Sequence, residues 1–435
     1  DSDKDVMPSF VVAGGAPIIG IVNLKAVSFT VGGLEDESGT ATFGDGNSTV
    51  IVPVGGNGTF TVDLSSLAPN QITSFLSVGD AAGNNFTTTG NTIAVDPGPT
   101  AGAASIMVAP GTTTDLTAYL LGLDRPGIAG DTLTLAGDST AGTKGTVTLA
   151  NGLLTYASPA TLGSDSFGYT VADQYGDTAS ALVTISAVNI GNIGNASGTV
   201  VVGDNSASVG FGKGTVTVLA GNGNDAIAGG GTANDTVIAG NGNDTVTLGQ
   251  GNNTVILGSG NDSVTVGDGN NTITIAGSAA STATIKAGGG NNTLYLGAGH
   301  ETISLGNGNN TLILTTGTYD VSAGKGNDLF VFTGSQALLD LSFASNDELV
   351  FRATGFDLGA DNGLGTGIPQ PIAASLFSSH TDGTFATPDN RFAYNSATGM
   401  LYYDAQGSTP GSTSFAIADL TNHPHLSAAN LFFTS

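Results

Sequence analysis

Between residues 240 and 275 the chain repeats a nine-residue unit four times without a gap: GNGNDTVTL at 240–248, GQGNNTVIL at 249–257, GSGNDSVTV at 258–266 and GDGNNTITI at 267–275. After AGSAASTATIKA at 276–287 the register returns as GGGNNTLYL, GAGHETISL and GNGNNTLIL up to Leu314, and GKGNDLFVF follows at 324–332. Each unit joins a glycine-rich turn, ending on a carboxylate or an amide, to a short run in which apolar residues alternate. The chemistry such a unit offers is oxygen ligation. Turn carbonyls and carboxylates converging from stacked loops supply the six to eight hard donors that Ca²⁺ prefers, whereas Mg²⁺ is smaller and strictly octahedral. The candidate ligands are Asp225, Asp235, Asp244, Asp262, Glu301 and Asp328, the amides Asn253, Asn271, Asn292 and Asn310 at the same position, and the turn glycines Gly240, Gly242, Gly258 and Gly260.

A turn of the G-x-G-N-D type is permitted by glycine, and the T-V-T-L strand after it is too short to survive alone, so the units must stack on copies of themselves. Two units close a coil of about eighteen residues, and successive coils pair as parallel strands about 4.8 Å apart, giving a β-roll. Period two turns Val246, Leu248, Val255, Leu257, Val264, Val266, Ile273, Ile275, Leu294, Leu296, Ile303, Leu305, Leu312 and Leu314 inward. Alternate units fall on opposite sides, which sorts the turn residues into two columns. One reads Asp225, Asp244, Asp262, Glu301; the other reads Asp235, Asn253, Asn271, Asn292, Asn310, Asp328. The expectation is that the first column holds most strong sites while the asparagines form an uncharged ladder of side-chain hydrogen bonds. The alternative is that the asparagine carbonyls still ligate calcium, more weakly. Residues 276–287 contain no carboxylate, so a break in the first column is expected there. The repeats resemble the RTX nonapeptide of calcium-binding secreted proteins over roughly Val200 to Phe332.

Composition agrees with a cation partner. The chain has 435 residues, enough for about three domains, with 9 Lys plus Arg against 35 Asp plus Glu and a net charge of −26, which excludes an electrostatic nucleic-acid binder. The absence of cysteine removes disulfides, thiolate metal sites and thiol nucleophiles. No apolar run reaches the roughly 18 residues of a membrane helix, so the chain is read as not membrane-spanning. The start at Asp1-Ser-Asp-Lys carries no signal-peptide pattern and reads as a fragment or processed form.

The expected fold is all-β: two β-sandwich modules, then the parallel β-roll solenoid, then a β-rich C-terminal cap. Short alternating runs between Val27 and Val95, turn clusters and the break at Pro97 to Pro99 define a first sandwich over 1–97. Runs such as TLTL at 132–135 and SFGYTV at 166–171 define a second over 98–190. Residues 145–180 resemble bacterial cadherin-like repeats, and VDLSSL at 62–67 with VGDAAGN at 78–84 resembles the bacterial immunoglobulin-like modules of giant adhesins. That resemblance implies calcium at module junctions, with Glu35, Asp36, Asp80, Asp96, Asp124, Asp131 and Asp173 as candidates beside a reading as solvated turn carboxylates. The roll occupies 191–334 and the cap 335–435, where a hairpin about Ala397-Thr-Gly and the aromatics Phe351, Phe356, Phe392, Tyr394, Tyr402 and Phe415 are expected to cover the last apolar layer. Residues 389–407 resemble the C-terminal secretion domain of type I secreted RTX proteins, which implies type I secretion machinery as a partner and Asp340, Asp347 and Asp404 as further calcium candidates.

These readings lead to a non-enzymatic extracellular protein of the bacterial cell surface, structural or adhesive, whose roll folds on Ca²⁺. Its other partners would be a cell-surface ligand or further copies of itself. Assembly into a surface layer or filament through Ca²⁺ is the alternative. A secreted hydrolase whose catalytic domain lies elsewhere is another, although the chain contains neither H-E-x-x-H nor G-x-S-x-G and its four histidines are scattered. An ice-binding face would require a regular threonine ladder, for which Thr245, Thr254, Thr272, Thr293, Thr302 and Thr311 recur; thermal hysteresis separates that idea.

Overall fold

The computed structural model describes residues 8–35, 37–68, 71–79, 85–335, 337–356, 369–408 and 413–434. Among the described residues it is all-β apart from one short α-helix and a few 3₁₀ turns, as the alternating runs require. Two compact units are present. The first takes in residues up to Ser105, Asp115–Ala157 and Ser164–Ile185; the second takes in Ile106–Thr114, Ser158–Gly163 and the chain from Ser186.

The first unit opens with a sandwich. Strand Val27–Gly32 buries Val27, Phe29 and Val31 and exposes Ser28 and Thr30, and it pairs antiparallel with Ser9–Val12 and Gly58–Val62. The facing sheet contains Thr49–Val54, Ser38–Gly44, Gln71–Gly79, Ile93–Asp96 and Ile18–Gly20. Phe10, Phe29 and Phe43 meet between the layers with ring centroids 5.3 to 6.0 Å apart. Further along, Thr134–Ser139 pairs with Gly163–Ala172, and Thr146–Ala150 forms a hairpin with Leu153–Ala157 over a stacked Tyr156–Phe167 pair. An α-helix of about two turns, Thr117–Leu123, interrupts the strands and buries Leu120, an element that the all-strand expectation did not contain.

The second unit is the roll. Strands Gly198–Val201, Val216–Leu219, Thr236–Ile238, Thr254–Leu257, Thr272–Ile275, Thr293–Leu296, Thr311–Leu314 and Leu329–Phe332 pair in parallel along one sheet. Ser208–Phe211, Ala226–Gly229, Thr245–Leu248, Asn261–Val266, Thr282–Ala287, His300–Leu305 and Gly317–Ser322 pair in parallel along the other. All fourteen residues assigned to the interior between Val246 and Leu314 are buried. A coil spans 18 residues at Asn253–Asn271 but 21 at Asn271–Asn292, where the 276–287 segment adds a wider turn without shifting the strand register.

The cap continues the roll rather than merely covering it. Phe415–Leu420 adds in parallel to Ala337–Leu341, and Leu431–Thr434 adds in parallel to Glu348–Arg352. The hairpin Phe392–Asn395 with Met400–Tyr403 then docks antiparallel on Phe415–Leu420. Phe351 lies 5.2 Å from Phe332 and 4.4 Å from Phe392, so the aromatic layer is built on the final coil. Two assignments are corrected: Tyr402 is only half-buried, and Phe415 is 44% exposed. Strand alternation points them outward and places Tyr403 inward, 4.8 Å from Phe356.

Candidate metal centre

The loops that end on Asp225, Asp244 and Asp262 stack at one edge of the roll. Their approach is close enough that a Cβ on Gly242, which has φ of +150°, would collide with the Gly223 carbonyl oxygen. Side-chain ladders hold the stack. Asp244 Oδ1 accepts the Asp225 N–H at 2.9 Å, Asp262 Oδ1 accepts the Asp244 N–H at 3.0 Å, and Asp225 Oδ1 accepts the Ala207 N–H at 2.8 Å. An outer file of amides repeats the pattern in solvent, with Asn243 N–H donating to Asn224 Oδ1 and Asn261 N–H to Asn243 Oδ1. The sequence reading assigned ladder character only to the turn-final position; this neighbouring file, read from the conserved spacing of the G-x-G-N units within the chain, was available and missed.

The carboxylates at this edge are buried, at 2, 1 and 4% exposure for Asp225, Asp244 and Asp262. The second oxygen of Asp225 and of Asp244 is fully buried with no hydrogen-bond partner. Loss of water around the charge raises all three pKa values above the ordinary carboxylate range, Asp262 to about 6. A buried anion with an unused oxygen is costly unless a cation meets it. Hard oxygens from carboxylates and turn carbonyls at this edge fit Ca²⁺. The loop glycines Gly240, Gly242, Gly258 and Gly260 line the same stack, with Gly258 N–H bonded to the Gly240 carbonyl at 3.0 Å.

The expected break in this column is present. Ala283 pairs with Asp262 on one side and Glu301 on the other, so no carboxylate stands between them. Glu301 is completely buried, both carboxylate oxygens lack partners, and desolvation pushes its pKa to about 7. The wide turn brings the Ser278 and Ser281 carbonyls beside it: a Cβ on Gly299 would lie 2.7 Å from Glu301 Oε1, 2.8 Å from Ser281 O and 3.2 Å from Ser278 O. Tyr319 follows Glu301 in the column.

The opposite edge has another chemistry. Oδ1 of Asp235, Asn253, Asn271, Asn292, Asn310 and Asp328 accepts the backbone N–H one coil earlier at 2.8 to 3.2 Å. Asp347 ends the file: its Oδ1 takes the Asp328 N–H and its Oδ2 the Ala344 N–H. Both of its oxygens are occupied, and it serves as the terminus of the ladder. Burial raises the pKa values of Asp235, Asp328 and Asp347. Of the other C-terminal candidates, Asp340 stands between Asp320 and Asp419 in adjacent strands, and Asp404 accepts the Gln406 N–H. His300 Nε2 lies 3.0 Å from Asp320 Oδ2 on the exposed face.

In the first unit, carboxylate oxygens of Asp96, Asp173 and Asp177 lie within 4.8 Å of one another, all three residues buried. Asp177 was not a candidate from sequence. Its two oxygens accept the Val22 and Ile21 N–H groups at 2.7 Å, tying the 173–177 turn to the segment before Val27. Asp96 Oδ2 and Asp173 Oδ2 remain buried without partners, and desolvation, then the charges of Asp131 and Asp173, raise the Asp96 pKa. Asp124 sits apart, accepting the Tyr169 hydroxyl at 2.6 Å and the Gly102 N–H at 2.9 Å, while Asp131 accepts from Ile128 and Gln174. Glu35 is exposed; Asp36 and Asp80 lie outside the described residues.

Comparison with known families and structures matches two regions. Residues 96–186 match the bacterial Ig domain, and residues 219–255, 229–264, 256–274 and 282–312 match the RTX calcium-binding nonapeptide repeat. No curated protein matches the chain. Among solved structures, a 1.5-MDa bacterial ice-binding adhesin aligns at 18% identity and a TM-score of 0.27, covering 43% of this chain and 66% of the other. A Ca²⁺-stabilized ice-binding adhesin of an Antarctic bacterium aligns at 23% identity and a TM-score of 0.26, covering 42% of this chain and 49% of the other. This chain therefore spans less than two thirds of either. Its described residues contain no helix long and apolar enough to cross a membrane. The chain combines a bacterial Ig domain over residues 96–186 with an RTX calcium-binding repeat array between residues 219 and 312.

Proposed function

We propose that this is a non-enzymatic, adhesin-like extracellular protein whose roll folds when Ca²⁺ enters the edge formed by Asp225, Asp244 and Asp262. The observation that carries the reading is the pair of buried, partnerless carboxylate oxygens of Asp225 and Asp244 at that edge. In calcium-poor surroundings these charges and a net charge of −26 oppose compaction, and the chain stays extended enough to pass a type I exporter. Outside the cell, calcium binds the folded form alone and pulls the equilibrium toward it. At a free concentration 100 times the dissociation constant, one site contributes about 2.7 kcal/mol, so a few sites decide the folding of a marginal roll. Turn carbonyls of Gly240, Gly242, Gly258 and Gly260 complete the coordination. The bacterial Ig domain before the roll supports a tethering role at the cell surface.

The test is far-ultraviolet circular dichroism of the full chain during a Ca²⁺ titration with Mg²⁺ as control. A cooperative gain of β signal with Ca²⁺ alone supports the reading. An unchanged full signal in chelator removes calcium as the folding trigger and the export argument with it.

A further inference from the structure

The asparagine edge carries hydrogen bonds that the aspartate edge lacks. Asn253 Nδ2 donates to Gly249 O at 3.1 Å, Gly251 O at 3.2 Å and Asn271 Oδ1 at 3.2 Å. Asn271 Nδ2 donates to Gly267 O at 3.2 Å, Gly269 O at 3.0 Å and Asn292 Oδ1 at 2.9 Å. Asn292 repeats the set with Gly288 O, Gly290 O and Asn310 Oδ1 at 3.3, 3.0 and 3.0 Å. Asn310 reaches Gly308 O at 3.1 Å, Ala323 O at 3.4 Å and Asp328 Oδ1 at 2.8 Å. Each nitrogen thus sits among two main-chain carbonyls and one side-chain oxygen from the next coil.

We propose that these four amide groups are internal substitutes for the cation, making their edge a calcium-free spine and leaving calcium to be read at the aspartate edge alone. The proposal rests on the assignment of calcium to that aspartate edge. The amide orientation is fixed by the ladder: Oδ1 of each of the four residues accepts a backbone N–H from the preceding coil, so the flipped amide would set N–H against N–H. With that orientation Nδ2 points its two positive hydrogens at the carbonyls. A calcium ion drawing on the same oxygens would face those hydrogens directly, so amide and ion exclude each other. Each of the four residues is 1% exposed, and none leaves a buried polar side-chain atom unpaired, in contrast to Asp225 and Asp244. The amide therefore does electrostatically, with no net charge, what the ion does between carboxylates. A roll built this way has one edge assembled from its own side chains and one edge conditional on calcium.

The experiment uses the full chain and three proteins: wild type, the double variant Asn271→Asp/Asn292→Asp, and Asn271→Ala. Bound calcium per chain is measured by equilibrium dialysis with elemental analysis, and thermal midpoints are read in chelator and in saturating Ca²⁺. The double variant should bind more calcium than wild type and lose several degrees of midpoint in chelator that calcium restores. Asn271→Ala should lower the midpoint in both buffers and leave the calcium count unchanged. A double variant with no added calcium, or a fall in the count for Asn271→Ala, overturns the proposal, the latter by showing that the asparagine itself ligates. If the double variant does not fold, Asn271→Ala still decides. If wild type binds no calcium in the roll, the aspartate-edge reading falls separately, and the chelator midpoint of Asn271→Ala still judges the spine: a drop supports it, and no change sinks it.

Discussion

Asp244→Asn should stabilise the roll without calcium and destabilise it with calcium. In the absence of the ion, Asp244 holds a desolvated carboxylate whose Oδ2 has no partner. Desolvation raises the Asp244 pKa, so at neutral pH the ionised group counts against the calcium-free fold. An amide at 244 removes a cost of this kind. It also presents N–H donors to the carbonyls of Gly240 and Gly242 and to Asp262 Oδ1, the arrangement already made by Asn253, at about 1 kcal/mol net for each bond formed. Three such bonds, about 3 kcal/mol in chelator, correspond to roughly 6–12 °C in the midpoint for a unit of this size. In calcium at about 1,000 times the dissociation constant, loss of one site removes about 4.1 kcal/mol, which exceeds that gain and reverses the sign. Differential scanning calorimetry of wild type and variant in chelator and in millimolar Ca²⁺ measures both shifts. A midpoint that falls in chelator, or that moves the same way in both buffers, refutes the reasoning.

Glu301→Gln tests the isolated carboxylate. The folded pKa of Glu301, about 7, lies above the unfolded value of 4.5, so its contribution to the calcium-free roll is complete below about pH 4.5 and is lost as pH rises through 7. The variant should therefore melt like wild type at pH 4 and about 3 kcal/mol more stably at pH 8 in chelator, as read by thermal melts across pH. Gly242→Ala should disrupt loop stacking and cost more than about 2 kcal/mol by denaturant titration, because its Cβ meets the Gly223 carbonyl, whereas Gly55→Ala, with nothing within 4 Å, should be near neutral. In the first unit, Asp177→Ala strands the Ile21 and Val22 N–H groups and should lower its stability by about 2–4 kcal/mol, visible as faster limited proteolysis of that unit.

Much of the roll was legible because its signals are periodic. Alternation turns the apolar residues from Val246 to Leu314 inward, and the nine-residue period alone puts Asp244 and Asn253 on different edges. The segment 276–287 announced a missing carboxylate, but only the fold shows that its extra residues form a wide turn while Thr282–Ala287 keeps register with Asn261–Val266. What stayed hidden depends on distant parts of the chain. Asp177 joins Asp96 through tertiary folding across more than eighty residues of sequence, and no local spacing marks it. The completion of the two sheets by Phe415–Leu420 and Leu431–Thr434 is likewise a long-range choice, which is why an inward Phe415 was expected and an outward one found. The short helix Thr117–Leu123 carries no side-chain cap hydrogen bond and no periodic stripe long enough to read.

The most direct measurement is the location of calcium by anomalous diffraction from crystals grown in Ca²⁺. The account predicts peaks between the loops that end on Asp225, Asp244 and Asp262 and none between the loops that end on Asn253, Asn271, Asn292 and Asn310. Equal peaks at both edges, or peaks confined to the asparagine edge, would contradict it.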